Sequence, residues 1–319
     1  MSRTLVIIIA ALFCLATLAP STAYAADDTA KKAVLVTGAS SGIGLKITER
    51  LAANGFHVYA GARKAADLER LDAMDNVSSV RLDVTIQQDI DAAVQFVKDQ
   101  GRGLHGLVNN AGVNAFAKLT SGPESDMDFV FDVNVYGPYR INKAFMPLLV
   151  RSGGRTTTIG SIAGFTGTSG IYSMSKFAVE AYTDSLAREI RGNGVHVSVV
   201  EPGGFKSKIG LTRAARALAA AQRGEIELTE QERARYEDEE ARRATRKEPD
   251  EVADAVLELM TVDKPKRRYL VTPNERQAHG TIRAALRRVI QLNHDQPYAL
   301  DRDALVAVID ELLEEIEND

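Results

Sequence analysis

The chain has a single cysteine, Cys14, among its 319 residues, so neither an internal disulfide nor a cysteine-built metal site is possible. Tryptophan is absent, and nine tyrosines and ten phenylalanines are little material for a platform that stacks single-stranded nucleic acid. The histidines (His57, His105, His196, His279 and His294) stand at no ligand spacing, which argues against a metal enzyme. Positive charge is not in excess either. With 39 Lys and Arg against 43 Asp and Glu, and a formal charge of −4, no global basic field recruits nucleic acid or anionic lipid. Internal repeats are lacking. What is present, 45% apolar and 26% charged residues, is globular composition, enough for one large α/β domain or two small ones.

The one long uncharged run opens the chain. Arg3 precedes Leu5 to Ala19, and Pro20 leads into Ser21-Thr22-Ala23-Tyr24-Ala25 ahead of Asp27-Asp28. A positive n-region, an apolar h-region and an A-x-A site read as a signal peptide over 1–25, and hence an exported protein. Left uncleaved, the charge-free stretch from Thr4 to Ala26 just suffices to anchor the chain in a bilayer. Lys31-Lys32 would then hold the catalytic part in the cytoplasm.

From Lys31 onward, apolar strand-like runs alternate with amphipathic ones. Strands are expected at 32–37, 56–60, 77–82, 104–108, 155–160, 195–200 and 268–271, and helices at 43–54, 86–98, 126–149 and 172–191. Continuous apolar strands between helices predict an α/β fold, a doubly wound parallel sheet of about seven strands. This domain spans 31–273, with a polar helical insertion at 206–248. A helical extension at 274–319 follows. There Leu305, Val308, Ile309, Leu312, Leu313 and Ile316 recur at i, i+3, i+4, i+7 and predict a buried face. The acids opposite read as a solvated surface.

Gly38, Ser40, Ser41, Gly42, Ile43 and Gly44 sit where the first strand turns into the first helix. Backbone without Cβ can approach a pyrophosphate there, at a helix N-terminus whose free N–H groups favour anions. The second strand ends in Ala60-Gly61-Ala62-Arg63-Lys64. It lacks the acid that would bind the ribose 2′-hydroxyl of NAD and offers Arg63 to the 2′-phosphate of NADP, which favours NADP. The plainer reading of Arg63 is a surface arginine. Asp83, ending the third strand, is placed to meet an adenine.

Tyr172 and Lys176 are four apart, so on a helix they share a face and can act on one ligand. A phenol titrates near ~10 unaided and a neighbouring cation lowers that, making a proton exchanger for an alcohol or carbonyl. Ser161, ending the fifth strand, can aim its hydroxyl at a carbonyl oxygen. Asn134 falls inside a predicted helix, where an amide needs partners, which suggests a bound water or a special backbone role.

Taken together, TGASSGIG (37–44), LDVT (82–85), NNAG (109–112), Asn134, GSIAG (160–164), YSMSK (172–176) and EPGG (201–204) resemble the short-chain dehydrogenase/reductase family of the Tyr-x-x-x-Lys type. The resemblance implies a single Rossmann-like domain in a homodimer or homotetramer built on its fourth and fifth helices. It implies Tyr172 as acid/base, with Lys176 lowering its pKa and binding the nicotinamide ribose. Ser161 would polarise the carbonyl and Asn134 would hold a relay water. Val84, Asn110, Ala111, Gly112, Pro202, Gly203, Phe205 and Ser207 would surround the nucleotide. The stretch 179–209 is most similar to retinol and 17β-hydroxysteroid dehydrogenases. That implies an apolar alcohol or carbonyl substrate, steroid-like or retinoid-like, under a lid at 206–223 walled by Ile209, Leu211 and the alanine-rich stretch. Neither nucleic acid nor metal is expected, and membrane contact only through an uncleaved N-terminal segment.

Two departures stand out. Ser161 and Tyr172 are eleven apart, closer than the family pattern, so the loop between them is short. Ser207 replaces a threonine and keeps its hydroxyl. A catalytically idle NADP(H)-binding sensor or scaffold is the alternative, but no fold requirement demands Asn134, Ser161, Tyr172 and Lys176 together. An exported enzyme also conflicts with a cofactor that is scarce outside the cytosol.

Overall fold

A computed structural model describes residues 31–115 and 118–318. The expected signal peptide or anchor at 1–25 lies outside the described residues. Among those described, no helix is long and apolar enough to cross a membrane.

The strands are β1 (Ala33–Val36), β2 (His57–Ala62), β3 (Val77–Arg81), β4 (Gly106–Asn109), β5 (Arg155–Ile159), β6 (His196–Pro202) and β7 (Arg268–Val271). All pair in parallel, in the order β3-β2-β1-β4-β5-β6-β7. The chain therefore winds outward one way from β1, then restarts at β4 and winds the other way. Successive side chains in a strand point to opposite faces, and both faces are covered here. Val34 and Val36 join Ile47, Leu51, Val252 and Val256 on one side, while Ala33 and Leu35 meet Ile90, Val97, Ile141 and Phe145 on the other. Burial on both faces is why these strands read as unbroken apolar runs.

The covering helices are α1 (Gly42–Ala53), α2 (Ala65–Asp72), α3 (Gln87–Asp99), α4 (Glu124–Phe131), α5 (Gly137–Ser152), α6 (Ala163–Thr166) and α7 (Gly170–Glu189). The insertion folds as α8 (Ile209–Gln222), α9 (Glu230–Glu237) and α10 (Glu239–Ala244), and α11 (Asp250–Thr261) returns to the sheet. Two helices, α12 (Glu275–Asn293) and α13 (Arg302–Asn318), end the chain.

Two expectations need correction. The single helix expected at 126–149 is two helices joined by a turn of π-helix, Asp132–Tyr136. The face of α13 expected to be buried is bare: Val308, Ile309, Leu312, Leu313 and Ile316 are 40% to 74% exposed. The periodicity formed the helix, but nothing among the described residues covers its stripe.

Candidate active site

A cavity of about 640 Å³ opens at the carboxyl ends of the strands, beside the point where β1 and β4 part. Open α/β sheets bind ligands at this switch point, because the loops leave in opposite directions and a crevice remains. Of the catalytic and cofactor-binding residues expected from the sequence, all but Gly44 and Asn134 line the cavity, and those two act on residues that do.

One arm is the glycine turn. Thr37 fastens it, its hydroxyl accepting from the N–H groups of Asn110 and Ala111 at 3.0 Å each. The Asn110 amide donates to the carbonyls of Thr37 (2.9 Å) and Gly38 (3.1 Å). Gly38 adopts φ +65°, and a Cβ on Gly44 would overlap the Asn110 amide, so side chains are excluded from both places. The first turn of α1 contains no acid, and its N-cap Ser41 makes no side-chain bond to it. Those N–H groups are available to an anion. A dinucleotide pyrophosphate fits this cradle by chemistry and by shape. At the far end Asp83 accepts from the N–H (3.0 Å) and hydroxyl (2.8 Å) of Thr85, and Arg63 lies 3.4 Å from it. Burial raises the Asp83 pKa, but these donors outweigh it and hold the carboxyl below its ordinary value. Arg63 itself is 62% exposed.

The other arm holds Ser161, Tyr172 and Lys176. The Ser161 hydroxyl accepts from Ala163 N–H at 3.1 Å and is close enough to the Tyr172 hydroxyl to draw its pKa downward. Lys176 comes one turn after Tyr172 on α7, buried, with its ammonium 5.6 Å from the tyrosine ring centre. That ammonium donates to the Ile159 carbonyl at 2.7 Å. The expected lowering of the tyrosine pKa by the lysine does not occur among the chain's own groups. Tyr172 turns an edge to the cavity but is enclosed elsewhere, and burial pushes its hydroxyl up to about 12. Burial also brings Lys176 down to about 8, against the pull of Glu201 and Glu180. Desolvation penalises both charged forms, and the lysine spends its hydrogen bond on a backbone carbonyl.

Asn134 sits in the π turn, 1% exposed. Its carbonyl oxygen accepts from Val113 N–H (2.8 Å), and its amide donates to Val113 C=O (2.9 Å) and the Ser175 hydroxyl (3.0 Å). The partners that a buried amide demands are thus the loop after β4 and the helix carrying Tyr172. The wider π turn is the special backbone feature that allows it.

Sequence reading passed over Glu201, although EPGG was in plain view. Glu201 is 2% exposed and accepts from the Ser161 N–H at 2.6 Å. Gly160 leaves room for it, since a Cβ there would lie 2.5 Å from Glu201 Oε1. Burial, and then the adjacent Glu180, push the Glu201 carboxyl well above its ordinary range. Glu180 also receives Arg268 Nε at 2.8 Å. No sequence signal marks this pair, because Glu180 and Glu201 meet only across α7 and β6. Gln277 of α12 was missed too; its side-chain oxygen accepts from Gly204 N–H at 2.7 Å on the cavity rim.

Over the cavity, Ser207, Lys208, Ile209 and Thr212 form the near wall. The expected wall of Leu211 and the alanines is not there. Ala217, Ala220 and Ala221 pack on Ile226, Leu228 and Tyr236 and give the insertion a small core of its own. Arg216 ties α8 to α4 through Asp126 (2.5 Å) and lies 4.0 Å over the Phe129 ring.

A Rossmann-like sheet, a phosphate cradle and a Ser–Tyr–Lys cluster in one crevice define a dinucleotide-binding fold with proton-transfer groups. Residues 32–217 match the family model described as short chain dehydrogenase, and the chain belongs to that family. It is 37% identical to rat mitochondrial D-beta-hydroxybutyrate dehydrogenase over 223 residues, 66% of this chain and 65% of that one. It is 32% identical to the uncharacterized oxidoreductase YbbO of Escherichia coli K12, covering 76% of this chain and 86% of that one. Mouse retinol dehydrogenase 7 is 39% identical over 56% of this chain and 58% of its own length. The chain thus spans just under two thirds of the mammalian hydroxybutyrate dehydrogenase. Among solved structures, a short-chain dehydrogenase/reductase from Burkholderia phymatum in complex with NAD superposes with TM-score 0.68 at 26% identity, covering 85% of this chain and 98% of that one.

Proposed function

We propose that the chain is an NADP(H)-dependent oxidoreductase that moves hydride between the nicotinamide and an alcohol or carbonyl on a small apolar molecule. The observation that carries this reading is that Ser161, Tyr172 and Lys176 line one cavity together with the glycine cradle. The bound cofactor supplies or accepts the hydride. The chain's own groups do the rest. Ser161 holds the substrate oxygen, and Tyr172 gives it a proton in reduction or takes one in oxidation. Lys176 stabilises the phenolate by charge when its ammonium turns from Ile159 towards the ribose, and Asn134 keeps the Val113 loop and α7 in register.

The relatives named for hydroxybutyrate and retinol support an alcohol/carbonyl substrate. The retinol and hydroxysteroid likeness, with Phe129 and Ile209 on the cavity wall, supports an apolar one. NADP is supported by Arg63 and Lys64 lining the cavity at the end of β2. The Arg63–Asp83 pair is exposed and of the kind worth only about 0–1 kcal/mol, so a 2′-phosphate can replace it. Homo-oligomeric assembly stays part of the reading, as does export if residues 1–25 are cleaved or a cytoplasmic catalytic domain if they anchor the chain.

The test follows NADPH absorbance with purified chain from residue 26 against apolar alcohols and ketones, with NAD(H) and Tyr172→Phe in parallel. Turnover with NADP(H) that vanishes in the variant supports the proposal. Arg63→Ala is expected to cut the preference for NADP about 10- to 100-fold, the worth of a charge-assisted bond. NADPH binding without turnover would turn the reading to an idle sensor, and absence of nucleotide binding would remove both.

A further inference from the structure

Thirteen of the twenty-one large hydrophobic side chains exposed among the described residues fall between Ile282 and Ile316. On α12, Ile282, Leu286, Val289 and Ile290 are 47% to 54% exposed and form one stripe. On α13, only Ala304 and Leu305 are even half-buried. An isolated helix of 17 residues is marginal in water, and helices in proteins draw their stability mainly from packing an amphipathic face. An apolar area this concentrated marks an interaction site.

The two helices are opposite in charge. α12 carries four arginines and one glutamate, and α13 carries six acids and one arginine. At roughly 100° per residue, Arg283 and Arg287 lie along one edge of the α12 stripe, and Asp310 and Glu317 along the same-handed edge of the α13 stripe. Antiparallel packing of the two stripes brings these edges to one side of the seam, so that arginines face acids. Within one chain this pairing is not made. The Asn293 side chain clasps Leu300, accepting from its N–H and donating to its C=O at 2.8 Å each. That clasp closes the turn at 294–301 and sends α13 off with both stripes bare.

We propose that α12 and α13 form a two-fold interface between two copies of this chain, with α13 of each copy lying antiparallel on α12 of the other. The arrangement is isologous and closes, so it ends at a dimer of arms. It buries both stripes at once in a four-helix cluster and pairs each arginine edge with an acidic one. A lipid surface suits these helices less well, because the polar flanks of α13 are acidic, whereas helices lying on membranes carry Lys and Arg there. The pairing also braces the site, since α12 holds Gly204 through Gln277 and sets Arg288 4.1 Å over the Phe177 ring of α7.

Sedimentation equilibrium of the purified chain at micromolar concentration tests the pairing. Leu312→Asp, the pair Arg283→Glu with Arg287→Glu, and the pair Asp310→Lys with Glu317→Lys are each expected to halve the particle mass. All of these positions are exposed and outside the sheet, so the Tm of the core should stay while helical circular dichroism falls by no more than α13 contributes; a variant whose core Tm is lost is misfolded and set aside for the other two. Mixing the two charge-reversed proteins is expected to restore the mass, because each arm then meets its complement on the other copy. An unchanged mass in all three overturns the proposal. So does failure of mixing, which would show α13 packing on its own α12. Flotation on phosphatidylglycerol vesicles that Leu312→Asp abolishes, with mass unaltered, would overturn it in favour of a lipid surface.

Discussion

Helix α7 and helix α13 are alike in length, 20 and 17 residues, and opposite in fate. The stripe of α13 is apolar throughout and exposed, whereas α7 buries Ser173, Ser175, Lys176, Glu180 and Thr183. Each of those polar groups has found a partner. Ser173 receives Ser169 N–H (3.0 Å), Ser175 donates to Tyr172 C=O (2.8 Å), and Thr183 donates to Val179 C=O (2.9 Å). Lys176 bonds Ile159 and Glu180 bonds Arg268. Burying a polar group costs free energy unless it is hydrogen-bonded, and apart from Glu180 Oε1, which has no partner among the described residues, α7 meets that condition because π turn, sheet and loop surround it. Burial follows from neighbours rather than from the composition of a helix face, so the candidate groups Tyr172 and Lys176 sit on α7 while the α13 stripe stays exposed.

Four measurements would break or sharpen this contrast. The largest effect is expected from Tyr172→Phe, which removes the proton exchanger and should lower kcat about 10²- to 10⁴-fold, with NADPH binding by fluorescence intact. Next comes Ile171→Ala, one residue before it and 4% exposed. A cavity of that kind costs about 2–5 kcal/mol, read from urea unfolding; a loss below 1 kcal/mol would show that α7 is not a core helix.

Third is Glu201→Gln, which keeps an acceptor for Ser161 N–H but cannot ionise. Because the folded-state pKa of Glu201 is raised, its contribution is fully present below the ordinary carboxylate pKa. It is lost as pH rises, since the unfolded chain ionises first. Wild-type Tm should therefore decline with pH from about 5 upward, and the variant should show a shallower slope. Equal slopes would mean that the Glu180–Glu201 pair holds no shared proton. The smallest effect is expected from Leu312→Ala at nanomolar concentration, within about 0.5 kcal/mol, as for exposed positions in general. Hydrogen exchange should find α7 amides protected at any concentration and α13 amides protected only as concentration rises.

The strands and their doubly wound parallel arrangement were legible from residue 31 onward because parallel strands buried on both faces write themselves as apolar runs. The site residues were legible where position along one element suffices: Tyr172 and Lys176 on one helix face, glycines in one turn, Ser161 at a strand end. Asn134 was visible as an anomaly, an amide inside a helical pattern, but periodicity has no sign for the extra residue of a π turn, so the break at 132–136 went unseen. The alanines of α8 and the stripe of α13 were recognised as apolar faces and assigned the wrong cover. The first packs on Ile226, Leu228 and Tyr236, and the second on nothing among the described residues.

By itself the sequence determined the family and the doubly wound sheet, and it picked out the candidate phosphate cradle and the candidate proton-transfer groups. Each of these depends on residues near one another in the chain or on a pattern repeated along it. Tertiary structure alone decided the direction of the pKa shifts. Desolvation and non-local neighbours push Tyr172 up to about 12 and Lys176 down to about 8, and they bring Glu201 to Glu180. The electrostatics of a site come from what the fold removes from water and what it sets alongside, and residues far apart in the chain meet only once the sheet is built.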